Sequence, residues 1–170
     1  MSLTLNNSKI LVIGGCGFVG SNLCIKLLMH NVREIVVVDN LLSSEIQNLP
    51  KKEKITFILG SISDDSILYQ LPFDFDFIFH LATYHGNQSS MKNPLADHDN
   101  NTITTLKICE YFKKSNQLKK MVYASAGCVV AEKTYDAPNA TSEDANISLY
   151  LDSPYQISKM IGEFYGNYYF

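Results

Sequence analysis

The chain has 170 residues and a formal net charge of −3, with 46% hydrophobic and 18% charged residues, the balance of one globular domain with a sizeable core. It offers no basic face for nucleic acid: Lys51-Lys52, Lys113-Lys114 and Lys119-Lys120 read as solvated loop or helix ends. No apolar run is long enough to span a bilayer, and "MSLTLNNSKI" lacks the pattern of a signal peptide.

Lys9–Ile13 reads as a short buried strand, and Phe18–His30 as a helix with Val19, Leu23, Leu27 and Leu28 at helical spacing. Glu34–Asp39 and Ile55–Leu59 are the second and third strands. Asp64–Leu71 is a short helix capped by Ser63 or Asp64. Asp76–Ala82 is the fourth strand. Asp97–Lys114 is a long helix with Ile103, Leu106, Ile108, Cys109 and Phe112 toward the core. Lys120–Ser125 is the fifth strand. A polar, loop-like stretch from Glu132 to Ser153 precedes a last helix that starts near Pro154.

Strands alternating with helices imply right-handed crossovers and a parallel sheet. The strands are continuous apolar runs, as a sheet covered on both faces requires. The expected fold is α/β, a Rossmann-type doubly wound parallel sheet in three layers (α/β/α) with five strands. The four cysteines, Cys16, Cys24, Cys109 and Cys128, have no CxxC spacing. That points to a reducing, cytoplasmic setting and to no metal site.

"LVIGGCGFVGSN" ends a strand and opens a helix, with glycines at 14, 15, 17 and 20. Asp39 closes the next strand, about 20 residues on, as a dinucleotide site requires. Gly14 suits the tight turn, Gly17 admits a pyrophosphate, and Gly20 lets the helix pack close to the sheet. The helix N-terminus, through Phe18 and Val19, offers amides and partial positive charge to phosphate. Asp39 would accept from the adenosine ribose hydroxyls, and residues 40–44 hold no Arg or Lys to meet a 2′-phosphate. NAD is therefore favoured over NADP.

Tyr155 and Lys159 in "SPYQISKMIGEFYG" are four apart, on one helix face. A phenol of pKa about 10 is a poor base, which a nearby ammonium and an oxidised nicotinamide would improve. Such a pair can take a proton from a sugar hydroxyl while hydride leaves for NAD. His80 reads as a packing residue. His85, on the loop after the fourth strand, is a candidate substrate contact. "FYGNYYF" reads as a helix packing face.

Together, "GGCGFVGSNL", "VVVDNL", "FHLAT", "NPLADHDNNTITTLKICE", "VYASAG" and "SPYQISK" resemble the extended short-chain dehydrogenases/reductases, in the NAD-dependent nucleotide-sugar epimerase and dehydratase group. The resemblance covers nearly the whole chain. It implies cofactor contacts at Gly14, Gly17, Phe18, Val19, Gly20, Asp39, Asn40, Ser61, Ile62, Leu81, Ala82 and Asn101, joined by Tyr155 and Lys159. It implies catalysis by Tyr155 and Lys159, a nucleotide-diphosphate sugar as substrate, and a homodimer paired through helices 97–114 and 154–170.

The sequence departs from that pattern in two places. Ser61 stands where the family has an acidic residue at the adenine. After the fifth strand, Ala126 falls at the usual Ser/Thr, and Val130-Ala131 at the usual Tyr-Gly. Ser125, or Cys128, is left to orient the reacting hydroxyl; Ser125 is preferred, and Cys128 also reads as a small buried hydrophobe. Gly127 and Cys128 lie where dehydratases carry an Asp-Glu pair, which disfavours elimination. Oxidation at C4 and re-reduction from the other face is the reading favoured, with dehydratase or reductase chemistry, or a non-catalytic NAD-binding module, as alternatives. Family members run to about twice this length, so residues 1–170 are expected to be a truncated NAD-binding domain, inactive alone, without the substrate domain and with the fifth strand as an open edge.

Overall fold

The computed structural model describes residues 4–84, 86–130, 140–147 and 150–170. Five parallel strands form one sheet: β1 (Lys9–Ile13), β2 (Glu34–Asp39), β3 (Ile55–Leu59), β4 (Phe77–His80) and β5 (Lys120–Tyr123), in the order β3-β2-β1-β4-β5. This is the expected doubly wound fold. β1 sits centrally, with Ile13 beside Val38 on one side and His80 on the other. Beyond Ile13 the chain order reverses direction across the sheet, which opens a crevice at the carboxyl ends of β1 and β4.

Alternation along each strand sends side chains to two separate cores. Leu11, Ile13, Val36, Val38 and Ile78 pack with Leu68 of α2 (Asp65–Leu68) and with Ile108 and Phe112 of α5 (Thr104–Phe112). Ile10, Val12, Ile35, Val37 and Phe77 pack on the opposite face with Cys24 and Leu27 of α1 (Phe18–Leu28). Burying both faces is what the uninterrupted β-branched runs require. Asp64 caps α2 by accepting from the Ser66 amide at 2.8 Å.

The expected helix 97–114 is composite. Two short helices, α3 (Asn87–Lys92) and α4 (Pro94–Asp97), lead into a π-helical turn, His98–Ile103, and then α5. A π turn carries more residues per turn than an α-helix, so it rotates the faces of α5 after it. Thr104 and Thr105 are buried where Ile103 and Leu106 were expected, while Ile108, Cys109 and Phe112 keep their inward places. Similarly, Val19 is 64% exposed, because the first turn of α1 faces the crevice and not the core. The fourth and fifth strands end at His80 and Tyr123, earlier than the apolar pattern suggested, as the chain turns aside to line the crevice. The last helix, α6 (Pro154–Tyr169), begins where expected; Ser153 caps it by accepting from the Gln156 amide at 3.3 Å. His85 and Ala131 lie outside the described residues.

Candidate active site

The crevice is a cleft of about 250 Å³ whose lining includes Gly14, Gly17, Phe18, Val19, Gly20, Asp39, Asn40, Ser61, Ile62, Leu81 and Ala82. Eleven of the residues expected at the cofactor therefore meet in one space. Gly14 has φ +82°, and a Cβ there would come 2.6 Å from the Ala82 nitrogen. A Cβ on Gly20 would come 2.6 Å from Gly15 Cα, so the helix could not sit this close to the turn. At Gly17 a Cβ would meet only Gly14 O, at 3.5 Å, leaving that position open to the cleft. Gly17 caps α1 without a side-chain hydrogen bond, and the first turn holds no acidic residue. Its amides are thus free for an anionic partner.

Asp39 is 8% exposed and does more than face the cleft. Its Oδ2 accepts from the Cys16 amide at 2.8 Å, and its Oδ1 from the Leu41 amide and the Ser44 hydroxyl, both at 2.9 Å. A carboxylate has about four acceptor sites, so one remains for a ribose hydroxyl where two bonds were expected. Ser61 Oγ accepts from the Ser63 amide and hydroxyl, which leaves its own proton to give.

Asn101 is 2% exposed, and its side chain is committed within the protein. Its Oδ1 accepts from the Tyr84 amide at 2.7 Å and the Thr83 hydroxyl at 3.2 Å; its Nδ2 donates to Asp97 Oδ1 at 2.8 Å and Ser158 Oγ at 3.3 Å. The neighbouring Asn100 and Thr104 line the cleft, a consequence of the phase set by the π turn.

Tyr155 and Lys159 stand on α6 beside this cleft. The Lys159 ammonium donates to Ala124 O at 2.8 Å and lies 5.0 Å from the Tyr123 ring centroid and 5.8 Å from that of Tyr155. It is 2% exposed, and burial pulls its pKa down to about 8. The Tyr155 phenol is pushed up, first by burial and then by Cys128, while the Thr83 hydroxyl pulls it down. The protein alone therefore does not supply the lowered phenol expected from the Tyr-Lys spacing: removing the ring from water outweighs its neighbours. Thr83, which lines the cleft and acts on Tyr155, joins the two regions.

Ser125 donates its hydroxyl proton to the Glu163 carboxylate of α6. Cys128 sits half-buried on the turn Gly127–Val129, close to both Tyr155 and Lys159. His80 is buried, with burial pushing it down to about 3, and its Nε2 meets Thr105 Oγ1 at 3.1 Å. Thr105 spends its proton on Asn101 O, so Nε2 carries the imidazole hydrogen. His80 both packs and lines the cleft. Thr83, Asp97 and Glu163 were not singled out from the sequence, although each lies inside a motif that was: "FHLAT", "NPLADHDNNTITTLKICE" and "SPYQISKMIGEFYG".

The model of the NAD dependent epimerase/dehydratase family matches residues 10–169. This chain belongs to that family. Among its relatives, a putative UDP-glucose 4-epimerase of Methanocaldococcus jannaschii is 35% identical over 158 residues, which cover 92% of this chain and 49% of that one. Among solved structures, the Bordetella bronchiseptica enzyme WbmF in complex with NAD+ and UDP is 48% identical, with TM-score 0.81, over 97% of this chain and 45% of the other. The epimerase Mth375 of Methanothermobacter thermautotrophicus is 37% identical, with TM-score 0.87, over 97% and 48%. The chain thus spans about half the length of these family members. Among the described residues no helix is long and apolar enough to cross a membrane, and no three His, Cys, Asp or Glu side chains gather to hold a metal ion.

Proposed function

We propose that residues 1–170 are the NAD-binding half of a nucleotide-sugar 4-epimerase, acting on a UDP-sugar. The observation that carries this is at the carboxyl ends of the strands: the glycine turn and Asp39 line a cleft, and Thr83 connects that cleft to Tyr155 and Lys159. The residues fit NAD: an uncapped helix N-terminus meets the cleft, Gly17 leaves room there, and Asp39 retains an acceptor site. Phe18–Gly20 would hold the pyrophosphate, Asp39 and Asn40 the ribose, and Ser61 and Ile62 the adenine, with Leu81 and Ala82 also lining the cleft. The complex of WbmF with NAD+ and UDP supports both the cofactor and the nucleotide.

Bound NAD supplies a hydride acceptor and donor and places a positive charge near the phenol. Tyr155 Oη takes the proton of the sugar 4-hydroxyl and returns one to the same oxygen after the sugar has turned. Lys159 stabilises the phenolate by its charge. Ser125, which donates to Glu163 here, would orient that hydroxyl by turning its own proton to the sugar oxygen, since the sugar's single proton is committed to Tyr155. Asn101 holds the loop after β4 in place. Gly127 and Cys128 cannot replace a carboxylate pair, so epimerisation is favoured over elimination. The proposal extends to a cytoplasmic homodimer, on the free state of all four cysteines and on apolar groups exposed along α6, such as Phe164 and Tyr168. Light scattering at the mass of a monomer would remove the dimer.

The deciding experiment incubates the native gene product with NAD and UDP-glucose, UDP-galactose or their N-acetylated forms, and reads the 4-epimer by NMR. A 4-epimer from at least one sugar, lost in Tyr155→Phe, is expected. A 4-keto-6-deoxy product, or no turnover with NAD bound, rejects the epimerase reading.

A further inference from the structure

Asp97 is a buried charge for which the reaction described above has no use. It closes α4 at 1% exposure. Its Oδ1 accepts from Asn101; its Oδ2 is left without a donor because the nearby Ser158 hydroxyl is turned to Tyr155 O. A buried carboxylate oxygen without a donor is costly unless a field offsets it. α4 packs against α6, and the cation on that side is Lys159.

Lys159 is faced by Asp97 from α4, His80 from β4, Tyr123 from β5, Cys128 from the turn after β5, and Tyr155 on its own helix. Glu163, one turn further along α6, takes the Ser125 proton. His80 is neutral at physiological pH. After burial, which lowers the Lys159 pKa, Asp97 is the largest influence and raises it. Asp97 in turn is raised by its burial, with Ser158, Asn101, Lys159 and His98 opposing. Through Asn101 the same carboxylate reaches Thr83 and Tyr84, the loop that borders the cleft.

We infer that Asp97 is a positioning residue of the reaction centre: its buried carboxylate keeps Lys159 an ammonium beside Tyr155 and anchors, through Asn101, the loop after β4. The inference deepens the proposed function and rests on its assignment of Tyr155 and Lys159. Asp97 and Lys159 are not in direct contact, but α4 packs on α6, and Asp97 is tied through Asn101 to Ser158, the residue before Lys159; two buried opposite charges so placed still interact where water does not screen them. Neutralising Asp97 while keeping its shape should make Lys159 lose its proton at lower pH, with the fold retained.

The test tracks the titration of Lys159 in the native gene product labelled with carbon-13 at lysine Cε, the signal being assigned by its loss in Lys159→Arg. Asp97→Asn should lower the titration midpoint by at least half a pH unit, and Asp97→Glu should return it toward the wild type. In turnover, the basic limb of the kcat profile should fall by the same interval, with KM for NAD changed less than about twofold. A purely structural role would lower kcat equally at every pH. An unchanged Lys159 midpoint in Asp97→Asn overturns the inference. Should that variant not fold, Asp97→Ser is read in the same way. A shifted midpoint in a protein without epimerase activity sustains the charge coupling and sinks the proposed function instead.

Discussion

The Cys16 amide donates to Asp39 Oδ2 at 2.8 Å, across 23 residues of chain, so the carboxylate at the end of β2 holds the glycine turn after β1. Ribose recognition and the shape of the phosphate turn thus depend on one side chain.

Asp39→Ala should therefore impair both stability and binding. Leaving buried donors without their charged acceptor costs about 1.5–3 kcal/mol. Urea denaturation is expected to show that loss, and calorimetry a fall in NAD affinity of tenfold or more. A variant of wild-type stability that merely gains NADP affinity would show that Asp39 does not support the turn. Preference of the unmodified protein for NADP over NAD would remove the cofactor assignment itself.

Gly14→Ala should be among the most damaging single-methyl changes. The conformation at φ +82° costs about 1–3 kcal/mol for a residue with a Cβ. The clash with the Ala82 backbone adds to this, because neither strand end can move without breaking the Ile13 carbonyl bonds to Leu81 and Ala82. A circular-dichroism melt within a degree of the wild type would contradict the geometry.

Lys159 should make stability rise with pH. Its folded pKa, about 8, lies below its ordinary 10.5, so between these values the unfolded chain binds more protons than the folded one. The penalty for burying the ammonium is complete below pH 8 and is relieved as pH climbs toward 10.5; its full size is about 3 kcal/mol. Lys159→Met removes the penalty but leaves Ala124 O without its donor and the buried Asp97 carboxylate without its opposite charge. The variant should lose turnover. Paired urea melts at pH 7 and 9.5 should show its stability, taken relative to the wild type, fall by about 2 kcal/mol as pH rises. A difference independent of pH would mean that Lys159 is not the titrating group.

Cys128 should be the thiol that reagents find first. It is half-buried, whereas Cys16, Cys24 and Cys109 are buried, and burial pushes their thiols up to about 12, 11 and 11. Iodoacetamide near pH 8, followed by mass spectrometry, should label Cys128 in the folded protein and all four cysteines in urea. Because Cys128 lies beside Tyr155, labelling should slow when NAD and UDP-sugar are bound. Equal labelling of Cys24 would show the core to be open.

Ser125→Ala and Cys128→Ala together separate the two candidates for orienting the substrate. If the Ser125 hydroxyl does so, Ser125→Ala lowers kcat about 100-fold or more with NAD affinity intact, and Cys128→Ala has the smaller effect. The opposite order would move that role to Cys128.

Much of this protein was legible in its residues. Three strands, Lys9–Ile13, Glu34–Asp39 and Ile55–Leu59, have the predicted limits, since unbroken β-branched runs bounded by glycine, proline or charge have one stable use in a doubly covered sheet. The glycine spacing, Asp39 and the Tyr155–Lys159 interval were equally plain, because each is a local rule about backbone shape or helix face. The inward turn of Asn101, the occupied carboxylate of Asp39 and the bond from Ser125 to Glu163 were not, for each depends on at least one partner 17 to 57 residues away. The same holds for the opening with which the sequence began to speak of function, "LVIGGCGFVGSN". Its own glycines determined a turn that leaves a helix N-terminus free. Only the packing of α6 against β5 and the π turn decided which charges stand beside Lys159, because burial and Coulomb interaction act through space and leave no mark on sequence spacing.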